Sequence, residues 1–207
     1  MAKTRVLIKN KVIFKIILRL CIVNLMRELY SKALVLERKN AGEVDGIISL
    51  FTEDFGKIVA FAKSVRKPTS KLSAHLQPLT FIKVRFIQRQ GPRDGWAIVD
   101  CLYDDDFSGL DAPRRSDMLP IVGFLNLFLF EFQTDRKLWA YIRHVFSRRY
   151  EYSDVAKGLL VIMGFDPAKA DCLSCHSKEI AAFHGTDQIF LCSSCASKLP
   201  PDRLLYL

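Results

Sequence analysis

The chain has 207 residues, half of them apolar, which leaves room for one large domain or two small ones and excludes global disorder. Its formal charge of +9 points to an acidic partner such as nucleic acid. Residues 1–27 hold seven cations and no acid, however, and beyond them 24 basic residues face 22 acidic ones, so an anion-binding surface must be read from where charges cluster.

In chain order, the N-terminal segment KTRVLIKNKVIFKIILRLCIVNLMREL comes first. Its apolar run is broken by Lys15 and Arg19, short of a membrane span, and it lacks the uninterrupted core and cleavage site of a signal peptide. Residues 1–25 read as a basic extension, either a surface amphipathic helix or upstream sequence before a start at Met26; the latter is favoured. Strand-like pieces follow at Ser31–Arg38, Val44–Thr52 and Gly56–Val65, separated by turns containing Gly42 and Gly56. Helical spacing after Pro68 predicts a short helix over Pro68–Leu76. Two more strands, Leu79–Arg89 and Trp96–Tyr103, flank the hairpin loop QGPRDG. Five strands with a helix between the third and fourth give the element order of an OB-fold, for residues 26–108. An SH3-like barrel shares the strand count but places no helix there.

Alternation sorts the strand side chains. Lys57, Val59, Phe61 and Lys63 share one face of the third strand, opposite Ile58, Ala60 and Ala62. In the fourth, Phe81, Lys83, Arg85, Ile87 and Arg89 oppose Ile82, Val84 and Phe86. From Lys57 to Arg93 there are nine cations and no acid, the pattern of an anion-binding face. Cations that follow phosphates and rings that stack on bases make Lys57, Phe61, Lys63, Arg66, Lys67, Lys71, Lys83 and Arg85 the candidate nucleic-acid contacts. Phe61 and Phe81 have a second reading, as ordinary barrel core.

Residues 109–207 read as a small helical domain, with helices over Asp117–Phe132, Arg136–Tyr150 and from an N-cap at Ser153 to Met163, ended by Gly164. Within it, CLSCHSKEIAAFHGTDQIFLCSSC carries two C-x-x-C pairs sixteen residues apart. That spacing brings four thiolates to one tetrahedral centre and predicts a closed structural Zn²⁺ site at Cys172, Cys175, Cys192 and Cys195, with Phe190 and Leu191 packed beneath it. His176 and His184 lie in the same loop, but four cysteines complete the set. The overall class is α+β: a five-stranded OB-fold barrel, then a small helical domain with a four-cysteine zinc site.

The barrel, the basic run and the paired cysteines together resemble the bacterial recombination protein O (RecO) family. The similarity spans about Met26 to Cys195 and is most specific in YSKALVLERKNAGEVDGIISLFTEDFGKIVAFAKSVRKPTSKLSAHLQPL and in GFDPAKADCLSC with the later LCSSC. The resemblance implies an N-terminal OB-fold before a helical domain with, in many members, a four-cysteine zinc site. It also implies binding of single- and double-stranded DNA, strand annealing, and work with RecR-like and SSB-like partners to load the recombinase RecA. The family's basic stretch after the third strand matches Lys63, Arg66, Lys67 and Lys71. This chain departs from the pattern in having fewer helices after the zinc site, and Gln188–Leu191 where a glycine pair often precedes the second C-x-x-C.

No enzyme is read from the residues. The four histidines lie in different segments with no paired nucleophile. Asp104–Asp106 is expected to solvate the turn leaving the barrel, and Cys21 and Cys101 are unpatterned thiols. Arg148 and Arg149 suit either DNA or the end of their own helix. Two function classes stand: a cytoplasmic DNA-binding recombination mediator that acts without bond chemistry, and a zinc-containing protein-interaction adapter with weak nucleic-acid affinity. Neither needs a membrane.

Overall fold

The computed structural model describes residues 28–89, 95–107 and 112–207. The N-terminal extension with Cys21 and the loop containing Arg93 lie outside these residues.

Five strands, β1 (Glu28–Ala41), β2 (Asp45–Thr52), β3 (Gly56–Ala62), β4 (Phe81–Arg89) and β5 (Gly95–Tyr103), close a barrel in the order β1-β2-β3-β5-β4. All pairings are antiparallel except β3 with β5, where Ala60–Ala62 run parallel to Trp96–Ile98 and seal the barrel. This is the OB arrangement. Alternation puts Ile48, Leu50, Ile58, Ala60, Ile82, Val84, Phe86 and Ile98 inside, as the sequence pattern requires. In β1 the run Ala33–Leu36 is wholly buried, because a register shift between Val35 and Glu37 lets this strand serve two cores. Ala33 and Val35 face the barrel, while Leu34 and Leu36 face the helices.

The expected helix over Pro68–Leu76 is not formed; a succession of turns stands in its place. Ser70 N–H bonds Lys67 O, Ser73 N–H bonds Ser70 O and His75 N–H bonds Leu72 O, three-residue steps in a stretch where Pro68 lacks an amide, and a single four-residue step, Leu76 N–H to Leu72 O, ends it. Arg38 ties the segment down by donating to Val65 O at 3.1 Å and Ser73 O at 3.4 Å. Leu76 is fully buried against the barrel core with Leu72 beside it, so the turns still close that end of the barrel.

Three helices follow, α1 (Ala112–Phe128), α2 (Arg136–Ser147) and α3 (Tyr152–Ile162). The first starts and ends earlier than the apolar run suggested, because the chain after Phe128 runs back along β3: Phe132 N–H bonds Lys57 O at 3.0 Å and its ring lies 6.5 Å from Trp96. Gly56 marks how close this approach is, since a Cβ there would lie 2.1 Å from Gln133 O. Asp135 caps α2 by accepting from Lys137 and Leu138 N–H, both at 3.0 Å. The cap of α3 is Glu151, with no side-chain bond; Ser153, expected as the cap, sits in the first turn. At its other end Gly164 and Phe165 N–H bond Val161 and Leu160 O, a Schellman closure with Gly164 at φ +95°.

The chain then forms a three-stranded sheet that the sequence reading did not contain: β6 (Ala182–His184) between β7 (Ile189–Leu191) and β8 (Leu204–Tyr206), with the one-turn α4 (Ser193–Ala196) after β7. One of the cores bridges barrel, helices and small sheet. Leu34, Phe51 and Phe81 from the barrel meet Trp139, Ile142 and Phe146 of α2, and the same cluster continues through α1 and α3 to Phe183 and Leu205. Among the described residues no helix is long and apolar enough to cross a membrane.

Candidate nucleic-acid interface and metal centre

The outer face of β1–β2–β3 is divided in two. At one end Leu34 and Phe51 are buried beneath the helices, with the Phe51 ring 5.5 Å from Trp139. Phe81, one alternative for a base-stacking ring, belongs to this covered half and touches Trp139, Phe107 and Phe146. It is core. The other end stays open. Phe61 is half-buried there, flanked through the ladder by Ile47 of β2 and Ala97 of β5, with Ile47 and Val99 exposed nearby. The Arg89 guanidinium lies 4.5 Å from the Phe61 ring centroid.

The cations after β3 gather at this open end. Ser64 N–H donates to Asp45 Oδ1 at 2.6 Å, and Arg66 N–H bonds Val44 O, which folds the segment against the β1–β2 turn. Lys63, Arg66, Lys67 and Lys71 are all exposed. Among the described residues no carboxylate pairs with any of the four; the Arg66 guanidinium donates to Gly42 O at 3.0 Å. Unpaired, exposed cations beside an accessible ring suit a phosphate chain with unstacked bases.

Three of the other candidates sit elsewhere. Lys57 points to the helices and donates to Asn126 O, and burial pushes its pKa down. Lys83 and Arg85 lie on the outer side of β4, away from Lys63. Lys83 donates to Asp105 at 2.8 Å, which raises its pKa, and Arg85 is 3.8 Å from Glu28. Asp104 does not solvate a turn: its carboxylate is fully buried, 2.5 Å from Arg143 of α2 and 3.6 Å from Lys32. It is an anchor between barrel and helices.

At the other end of the molecule the four cysteine sulfurs lie within 4.8 Å of one another. Cys175 and Cys192 are 3.5 Å apart, against the ~3.8 Å edge of a tetrahedron with ~2.3 Å metal–sulfur bonds. Backbone turns build the two corners: His176 N–H bonds Cys172 O at 2.8 Å with His176 at φ +59°, and Ala196 N–H bonds Cys192 O at 2.9 Å. Donors converge on the sulfurs. The Ser194 hydroxyl and the Cys195 amide hold Cys192 down to about 6, and the Cys192 amide holds Cys172 down. The Ser177 amide pulls on Cys175 too, yet the sulfurs of Cys192 and Cys172 beside it push its thiol up to about 12. Crowded sulfurs that cannot all ionise alone are what a cation relieves, so these four residues can hold a metal ion. Leu191 packs beneath the centre with Cys172 and Cys192, whereas Phe190 turns to Phe183 in the large core. His184 is buried and paired with Asp187 at 3.2 Å, outside the sulfur cluster.

Comparison with known proteins agrees with this geometry. Residues 26–92 match the family model described as Recombination protein O N terminal. A DNA repair protein RecO of Acetivibrio thermocellus is 30% identical over 192 residues, covering 82% of this chain and 71% of that protein. The chain belongs to the RecO family. A RecO of Dehalococcoides mccartyi is 52% identical over 160 residues, which cover 72% of this chain and 61% of that protein. One of Thermoanaerobacter is 25% identical over 186 residues, and the match spans 73% of its length. The chain thus spans about three fifths to three quarters of the length of these RecO relatives.

Two features of the open face escaped the sequence reading. Arg89 stands in the same alternating row as Lys83 and Arg85, so its side was legible, but its contact across β5 to Phe61 needed the closed barrel. Ile47 and Val99 gave no signal, because an apolar strand residue reads as core until its neighbours are known.

Proposed function

We propose that this RecO-family chain is a DNA-binding recombination mediator in recombinational DNA repair. The observation that supports this reading is the exposed cluster Lys63, Arg66, Lys67 and Lys71, which no carboxylate among the described residues pairs with, on the chain that leaves the half-buried Phe61. The cations neutralise phosphates, Phe61 stacks on a base and Arg89 closes over the ring; binding, not bond chemistry, does the work. Single- and double-stranded DNA are the ligands. The function extends to annealing strands and to loading a recombinase with RecR-like and SSB-like partners, in the cytoplasm; the relatives, named DNA repair proteins, support the repair role. Lys57, held by Asn126, is left to the fold.

Zinc is the metal that the four sulfurs favour, and when bound it cross-links the two knuckles as a structural ion. Cys172 leads into the first knuckle, and Cys192 follows β7 as the N-cap of α4, so the ion fixes the small sheet whose Phe183 and Leu205 complete the shared core.

The test is annealing of complementary oligonucleotides coated with an SSB protein. The mediator reading expects faster annealing with the protein, lost when the four cations are replaced by Ala. Association with protein partners that is insensitive to salt, without annealing, would favour the adapter reading instead.

A further inference from the structure

The turn that leaves β5 carries carboxylates to cations on the barrel surface. Lys32 and Lys83 are register partners on β1 and β4, so two ammonium groups stand side by side, unfavourable unless an anion joins them. The turn is pinned at both ends. Asp104 is buried against Arg143, while Phe107 N–H bonds Asp104 O at 2.9 Å and its ring lies 4.0 Å from Phe81. Between these anchors two exposed carboxylates project outward, Asp105 to Lys83 at 2.8 Å and Asp106 to Lys32 at 2.5 Å, with Arg143 4.0 Å from Asp106 and Asp104 3.6 Å from Lys32. The Asp105 and Asp106 side chains remain 84% and 61% exposed, so packing does not hold them there. Beside them lies a shallow concavity of about 530 Å³ lined by Tyr30, Lys32, Lys83, Arg85, Leu102 and one carboxylate, Asp100, the ladder partner of Arg85. Tyr30 and Leu102 are both about three-fifths exposed, an apolar surface among Lys32, Lys83 and Arg85, with Glu28 3.8 Å from Arg85 and accepting from the Tyr30 hydroxyl.

We propose that the outer face of β1, β4 and β5 is a second surface for single-stranded DNA, masked by Asp105 and Asp106 acting as resident stand-ins for phosphate. Lys83 and Arg85 lie two residues apart on one side of β4, ~6.8 Å along the strand, comparable to the step between phosphates of an extended strand. Tyr30, opposite Arg85 in the ladder, offers a ring to a base. An incoming strand exchanges one set of anions for another, and exposed pairs of this kind are weak enough to yield. The proposal rests on the nucleic-acid reading above and adds a surface that the carboxylates keep in reserve.

The test compares wild type, D105N/D106N, the charge-matched control D154N/E179Q and D105N/D106N combined with K32A/K83A. Each is titrated with oligothymidylate over a range of salt. Freeing one or two phosphate contacts steepens the slope of log K against log salt by about 0.7–1.4, and tightens binding roughly five- to twenty-five-fold at 0.1 M relative to 1 M salt. The control keeps the wild-type slope, and adding K32A/K83A returns D105N/D106N to it. A D105N/D106N slope equal to the control's, or a gain that survives K32A/K83A, overturns the proposal. If Ala at Lys63, Arg66, Lys67 and Lys71 abolishes binding while D105N/D106N changes nothing, the masked surface fails and the first face stands. If no variant binds, both fail.

Discussion

Arg143→Met should be among the most destabilising changes to a polar residue of this chain. Arg143 reaches from α2 to Asp104 at 2.5 Å, and the Asp104 carboxylate is fully buried at the seam of barrel and helices. Removing one partner of a buried pair typically costs about 3–5 kcal/mol, because the other charge is left without compensation. Here Lys32 stays 3.6 Å from Asp104 and offsets part of that loss, so about 2–3 kcal/mol is expected. Asp104→Asn keeps the shape and leaves no buried charge alone, and should cost about 1–2 kcal/mol. The double variant should lose clearly less than the sum, as residues sharing one pair do. Urea unfolding at neutral pH, with midpoints and slopes for the four proteins, measures the cycle. A cost below about 1 kcal/mol for Arg143→Met, or strict additivity, would refute the view that this pair anchors barrel to helices.

Further expectations follow from the same geometry. Leu76→Ala should cost about 2–5 kcal/mol in chemical unfolding, since the turn segment closes the barrel with that side chain; a surface-like cost would mean the segment is not a plug. Stripping metal with a chelator, or Cys192→Ser, should release hydrogen-exchange protection over residues 171–207 while β1–β5 stay protected, and elemental analysis of the untreated protein should find one zinc per chain. Phe61→Ala should weaken single-stranded DNA binding by about 1–3 kcal/mol with an unchanged salt slope, because a stacked ring neutralises no phosphate; unaltered affinity would assign the ring to packing.

The barrel was legible because its strands alternate cleanly. Ile58, Ala60 and Ala62 against Val59 and Phe61 fix which face is inside, and the turns at Gly42 and Gly56 fix where strands end. Cysteine spacing likewise located the metal centre without any knowledge of the fold. What could not be read depends on contacts between distant segments. Phe81 and Phe61 have the same local pattern, yet one meets Trp139 and the other meets solvent and Arg89, which only the docking of α2 decides. Asp104, Asp105 and Asp106 form one acidic turn in sequence, and only packing separates the buried anchor from its two exposed neighbours. The strands β6–β8 are three residues each, too short for periodicity to register. Pro68–Leu76 had helical spacing of its apolar residues because Leu72 and Leu76 share a burial site, not because the backbone is helical.

The central claim, that the cations after β3 are a phosphate-binding face, is tested most directly by the salt dependence of single-stranded DNA binding. Wild type is compared with the variant carrying Ala at Lys63, Arg66, Lys67 and Lys71. If each of the four neutralises one phosphate, the slope of log K against log salt flattens by about 2.8, so the affinities of the two proteins diverge by about 1.7 decades more at 50 mM than at 200 mM salt. A folded quadruple variant with the wild-type affinity and slope would contradict the account.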